Sequence, residues 1–279
     1  MSKIHPKIII RVEILAEKGQ EELFTDSIYR LVSKGFWLEE RGDSVLIKCY
    51  PEEPKSFLRQ LQTLGLKITS INLEQEELKD YIELTKQYFR PIRIGNLTIR
   101  APWNKKKDKG HEIVIEPGMA FGTGRHESTK IMIKLMNTID FIGKTVLDIG
   151  CGSGILALNA RIRGATKIFA VDNDLEAVLN ARKNALLNKA YTINLACANL
   201  QDIRGTYDIV LANIDIKTFS EHSEAVASLV RKDGYLFVSG ILNKKRSHLL
   251  WLFHDWNLVI SHRINSWWGF LLNRQVPKL

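Results

Sequence analysis

The sequence predicts an α/β protein in two parts: a small ferredoxin-like α+β domain, then a Rossmann-like sheet of mainly parallel strands. Three observations carry this. The first seventy residues alternate strand and helix patterns in the order β-α-β-β-α-β. Residues 145–172 read as strand, glycine loop, helix, strand and terminal acid, the unit that builds a parallel sheet. At 279 residues the chain is also near the size at which one core gives way to two.

The elements follow in order. Ile8, Ile10, Val12 and Ile14 alternate with a set that includes Arg11 and Glu13, a strand period. From Gln20 the residues Leu23, Ile28, Leu31 and Val32 trace a helical stripe that Gly35 ends. Phe36–Glu40 and Ser44–Tyr50 are two strands joined through Arg41-Gly42-Asp43. Pro54 opens a second helix with Phe57, Leu58, Leu61 and Leu64 on one face, closed by Gly65. Leu66, Ile68 and Ile71 continue as a last strand. Glu74, Glu76 and Glu77 then suit a helix N-terminus, so 74–91 is expected to be a linker helix ending at Pro91. The expected domains are thus 1–73, the linker 74–91, and 92–279.

Composition narrows the class. Apolar residues make up 45% and charged residues 25%, which excludes a disordered or fibrous chain. No apolar stretch approaches the roughly 18 residues of a membrane span. The first apolar run is broken by Arg11 and Glu13, so no signal peptide is expected. Three cysteines, Cys49, Cys151 and Cys197, exclude a disulfide framework and fit a reducing cytoplasm. The net charge is +9, and residues 1–75 hold 11 basic and 11 acidic side chains, so the whole excess lies beyond them. A basic half fits a polyanion such as ribosomal RNA, but a solvated surface with Lys-rich loops is the preferred reading. The seven histidines show no ligand-like pairing with cysteine or acid, so no metal is expected.

Thr145–Ile149 is a buried-type strand, followed by Gly150-Cys151-Gly152-Ser153-Gly154, a helix from Ile155, and the strand Lys167–Asp172. A dinucleotide loop needs G-x-G-x-x-G, and Ile155 stands where the third glycine belongs. Asp148, two residues before the first glycine, would repel a pyrophosphate but can help hold a cationic methionyl group. Asp172 can accept two hydrogen bonds from a ribose diol. Gly150 and Gly152 allow close approach of the backbone. The loop therefore suits S-adenosylmethionine better than NAD. Downstream, Tyr207–Ile214 is a strand whose Asn213 can face a transferring methyl.

Residues from Phe89 onward resemble the PrmA family, methyltransferases of large-subunit ribosomal protein eleven. The resemblance rests on Phe89-Arg90-Pro91, the loop Pro117–Gly124 with His126 and Thr129, Asp148–Ala157, Ala212-Asn213-Ile214 and Ser239–Leu242. It implies a class I methyltransferase with a seven-stranded sheet, one strand antiparallel near the edge, and an N-terminal ferredoxin-like substrate-recognition domain. It also implies cofactor contacts at Thr129, Gly150, Asp172 and Asn213, with Phe121 packing the cofactor. The expected activity is transfer of methyl groups from S-adenosylmethionine to lysine, and N-terminal, amines of a ribosomal protein. Asn213 is then the acceptor that orients the amine, and His126 and Asp215 are candidate proton relays. For His126 a loop-bracing hydrogen bond is the competing role. Arg125, Ser128 and Asp215-Ile216 depart from the family pattern. Two alternatives are an RNA or DNA methyltransferase, and a non-enzymatic protein that keeps the cofactor fold. Against the first, Asn213-Ile214-Asp215-Ile216 lacks the prolines and ring that base-amine enzymes place there.

Overall fold

A computed structural model describes residues 8–18, 32, 36–77, 89–106, 110–116 and 124–274. The chain divides into two compact units, Met1–Phe89 and Arg90–Leu279.

The first unit is a four-stranded sheet of β1 (Ile8–Glu17), β2 (Phe36–Arg41), β3 (Ser44–Cys49) and β4 (Ile68–Glu77), in the order β2-β3-β1-β4. Every neighbouring pair is antiparallel, the ferredoxin-like arrangement. The period of two in β1 places Val12, Ile14 and Ala16 in a core with Val45, Ile47 and Cys49 of β3. Helix α1 (Pro54–Thr63) brings Phe57 and Leu61 onto the same core. The predicted first helix lies outside the described residues, apart from Val32, which is buried here.

The linker expectation needs correcting at its start. Glu74, Glu76 and Glu77 belong to β4, with Ile8 opposite Glu77, Ile9 opposite Glu76 and Arg11 opposite Glu74. Arg11 forms ion pairs with Glu13, Glu74 and Glu76. Cross-strand pairing with this guanidinium outweighs the local preference of carboxylates for a helix N-terminus. Residues 78–88 of the expected linker lie outside the described set.

The second unit opens with a small sheet absent from the sequence reading: β5 (Ile92–Ile94), β6 (Leu97–Arg100) and β7 (His111–Val114), in that order. The main sheet comprises β8 (Thr145–Ile149), β9 (Lys167–Asp172), β10 (Ile193–Cys197), β11 (Tyr207–Asn213), β12 (Val230–Leu242), β13 (Asn257–Ile264) and β14 (Trp267–Asn273). Its order is β10-β9-β8-β11-β12-β14-β13. All pairs are parallel except those of β14, which runs antiparallel to both neighbours. Strand order reverses between β8 and β11, so the ligand crevice is expected at the carboxyl ends of these two strands.

Helices cover both faces. On one, α2 (Glu127–Met136), α3 (Ile155–Ile162) and α4 (Leu175–Leu187) pack Ile131, Leu156, Ala181 and their neighbours against Val146, Leu211 and Phe237. On the other, α5 (Ile216–Leu229) and α6 (Arg246–Leu252) pack Phe219, Val226 and Leu249 against Leu147, Val210 and Leu236. The strands between are apolar on both sides, as a doubly covered parallel sheet requires.

The amino end of the switch-point pair is locked by Asp208. Its Oδ2 accepts hydrogen bonds from the Thr145 N–H (2.8 Å) and hydroxyl (2.7 Å), and Arg231 lies 2.5 Å from Oδ1. Burial pulls the Asp208 pKa up, but the Thr145 hydrogen bonds and the charges of Arg231 and Lys144 outweigh it and hold the carboxyl below its usual range. A depressed native pKa contributes stability at neutral pH that is lost as pH falls through the native value. Asp208→Asn is therefore expected to destabilise the protein by about 1–2 kcal/mol at neutral pH in urea titrations. The gap between variant and wild type should close as pH falls through the carboxylate range; a gap independent of pH would contradict the assignment.

Candidate active site

The site is built at the carboxyl ends of β8, β9, β11 and β12. Gly150, Gly152 and Gly154 all adopt positive φ, at 64°, 52° and 76°. This conformation strains any residue with a Cβ, so the alternation of glycines is what lets the chain leave β8 and enter α3 within five residues. The loop is tied at each step. Cys151 N–H donates to the Val171 carbonyl (3.0 Å), Gly152 N–H to Asp172 Oδ2 (2.9 Å), and Gly154 N–H to the Cys151 carbonyl (2.8 Å).

Asp172 ends β9 half-buried. Its second oxygen, Oδ1, accepts from the Asp174 N–H at 3.1 Å. Each carboxylate oxygen holds one backbone donor and retains a lone pair for a hydroxyl.

Asp148 is fully buried one strand away. Its Oδ2 accepts from Ala157 N–H in the first turn of α3 (3.0 Å), while Oδ1 has no hydrogen-bond partner among the described residues. Burial pushes its pKa up to about 8; the Ala157 N–H opposes the rise and the charge of Asp172 adds to it. A cation brought to this carboxyl would offset the cost of ionising it. Thr129, on the first turn of α2, is likewise fully buried, and its Oγ1 has no partner among the described residues. Two orphaned buried oxygens and a backbone cradle fit a group that carries a positive centre and hydrogen-bond donors, as S-adenosylmethionine does.

Asn213 closes β11 opposite Ser239 of β12. It follows Ala212, which pairs with Ile149, so it stands beside the start of the glycine loop. Ile214 explains why. A Cβ at Gly150 would lie 2.7 Å from Ile214 Cγ2, and one at Gly240 would lie 2.7 Å from the Ile214 carbonyl. Glycine on both sides lets the three strand ends close on one another, and this sets the position of Asn213.

The other predicted residues fall into different places. His126 is the N-cap of α2: Nδ1 accepts from the Ser128 N–H (3.2 Å) and lies 2.7 Å from the Ser128 hydroxyl. Burial lowers its pKa, so the imidazole is held neutral, as an acceptor cap needs. Its ring meets the Trp267 ring edge-on at 4.6 Å. These contacts brace the start of α2. Asp215 is the N-cap of α5, accepting from the N–H groups of Lys217 and Thr218 and from the Thr218 hydroxyl. It is exposed and occupied by capping. Phe121 lies outside the described residues, with the rest of 117–123. The reading of the sequence missed Ile214 and also Asn184, discussed below. A signal for the latter was present in the pair Asn184 and Asn188, one helical turn apart.

Strand order, glycine loop and paired acids together define a class I methyltransferase. A family model described as ribosomal protein L11 methyltransferase (PrmA) matches residues 12–275. The chain is 32% identical over 227 residues to a ribosomal protein L11 methyltransferase of Thermoanaerobacter pseudethanolicus, covering 79% of this chain and 74% of that one. It is 35% identical over 208 residues to the namesake from Campylobacter fetus, covering 74% and 75%. A crystal structure of ribosomal protein L11 methylase from Lactobacillus delbrueckii superposes with a TM-score of 0.64 at 27% identity, covering 67% of this chain and all of that one. The chain belongs to the ribosomal protein L11 methyltransferase (PrmA) family.

The raised pKa of Asp148 has a measurable sign. A carboxyl whose native pKa is raised favours the fold when protonated, and this contribution is lost as pH rises toward the native value. The free protein should therefore lose stability progressively between about pH 4 and about pH 8 relative to Asp148→Asn, by roughly 1 kcal/mol per pH unit in urea titrations. Parallel pH profiles for the two proteins would contradict a neutral buried Asp148.

Proposed function

We propose that this protein transfers methyl groups from S-adenosylmethionine to amines of ribosomal protein L11, on lysine side chains and the N-terminus, in the cytoplasm. Methylation of ribosomal protein L11 with S-adenosylmethionine is the activity of the family to which the chain belongs. The observation that carries the reading at atomic level is the glycine turn with Asp148 and Asp172 at the switch point.

The cofactor supplies an activated methyl on a sulfonium. Asp172 receives the ribose hydroxyls through its two free lone pairs. The backbone of Gly150 and Gly152 lets the nucleoside approach without a clashing Cβ. Asp148, ionised by the incoming positive charge, and the Thr129 hydroxyl meet the methionyl end. A lysine amine has an ordinary pKa of roughly 10.4, so it must shed a proton before it can act as a nucleophile. Water can take that proton before the amine docks. The Asn213 carbonyl oxygen, with backbone carbonyls around Ile214, then accepts the remaining N–H groups and turns the lone pair toward the methyl. Alignment of this kind supplies much of a displacement's acceleration. The first unit, with its ferredoxin-like sheet, holds the protein substrate.

Among the described residues no helix is long and apolar enough to cross a membrane. The +9 charge favours one competing substrate, ribosomal RNA. Incubation with methyl-labelled S-adenosylmethionine and, separately, ribosomal proteins and ribosomal RNA tests the choice. Label should enter ribosomal protein L11, and intact mass should rise by whole methyl increments; label confined to RNA would overturn the assignment.

A further inference from the structure

Asn184 lies on α4, outside every residue assigned above, and is fully buried. Its amide is completely used. Oδ1 accepts from the Glu116 N–H at 2.9 Å; Nδ2 donates to the Ser153 carbonyl at 2.9 Å and to Asn180 Oδ1 at 2.7 Å. Ser153 is the fourth residue of the glycine loop. Among the described residues the loop is also tied within itself, to β9 and to α3, and Asn184 is a side-chain link to it from α4. The approach of α4 is close: a Cβ on Gly154 would lie 3.2 Å from the Cβ of Ala181, one turn before Asn184.

Asn188, one turn further on, makes a different connection. Its Oδ1 accepts from Val114 N–H (2.8 Å) and its Nδ2 donates to the Val114 carbonyl (2.6 Å), as a neighbouring strand would, and also to the Asn184 backbone carbonyl (2.7 Å). It touches β7 and not the glycine loop. Lys183 adds an ion pair to Glu116 at 2.9 Å. The two asparagines thus separate two tasks on one helix face. Asn188 docks β7, while Asn184 joins the chain just past β7 to the loop that cradles the cofactor.

We infer that Asn184 is a positioning residue for cofactor binding, whose single amide fixes the glycine loop by joining the Ser153 carbonyl to the Glu116 N–H. The inference rests on the methyltransferase reading above. A buried carbonyl and N–H left without partners would shift to find others, and the loop would move with them. By reciprocity, a ligand that holds the glycine loop in place also strengthens the Glu116 bond.

The test uses the full chain with S-adenosylhomocysteine as probe. Asn184→Ala should raise its Kd about ten-fold, the loss expected for roughly one buried hydrogen-bond link. The KM for S-adenosylmethionine should rise in parallel, with kcat on ribosomal protein L11 changed by less than about three-fold, because ground-state and transition-state binding are lost together. Asn188→Ala removes as many hydrogen bonds; it should lower the melting temperature comparably yet leave the Kd within about two-fold. Wild-type Kd in Asn184→Ala, or equal weakening in both variants, would overturn the inference. Failure of the wild-type protein to bind the probe would instead count against the methyltransferase reading. Should Asn184→Ala fail to fold, amide exchange in the wild-type protein decides. The Glu116 N–H should exchange more slowly when the probe is bound, and unchanged exchange would overturn the coupling.

Discussion

The glycine turn between β8 and α3 is the constraint on which the rest of the site depends. Three residues at positive φ redirect the chain within five positions, and a side chain at any of them would strain the backbone. At Gly150 it would also strike Ile214. The turn brings the start of α3 over the end of β8, where Ala157 N–H can meet the buried Asp148. It also presents Gly152 N–H to Asp172 at the end of the next strand. One backbone geometry therefore places two carboxyls of opposite character. Asp172 is half-buried and anchored by two N–H groups; Asp148 is wholly buried, half-partnered and held near neutrality.

That contrast is useful chemistry. A carboxyl that ionises only when a positive charge arrives discriminates by charge, since a neutral or anionic ligand leaves its desolvation cost unrelieved. A carboxylate already anchored by backbone donors is preorganised for hydroxyls and needs no rearrangement to receive them. In the function proposed above, the pair reads the two ends of a sulfonium nucleoside. The position of Asn213, the acceptor-side residue of that proposal, follows from the same packing, because Ile214 is held between Gly150 and Gly240.

Much of this was legible from residues alone, for identifiable reasons. The end of β9 at Asp172 was readable because an apolar run closed by an acid after a glycine loop is a local pattern. The alternation at Ile8, Ile10, Val12 and Ile14 was readable because a strand period is local. Glu74 and Glu76 were misread because their partner, Arg11, lies some sixty residues away in sequence and only the sheet brings it near, and Glu77 follows them in the same strand opposite Ile8. The sheet of β5, β6 and β7 escaped notice since strands of three or four residues carry too few alternations to register. Asn184 escaped for a deeper reason. The groups it joins, the Ser153 carbonyl and the Glu116 N–H, are backbone atoms, and backbone atoms have no identity in a sequence.

The account turns on Asp172 receiving a ribose diol beside the glycine turn, and calorimetry with S-adenosylhomocysteine measures this directly. Replacing Asp172 by Ala should weaken binding by about 1–3 kcal/mol, the range for hydrogen bonds to a charged group, with the heat of binding reduced. A ligand lacking both ribose hydroxyls should bind the two proteins equally. Undiminished affinity for the intact nucleoside in Asp172→Ala would contradict the account at its centre.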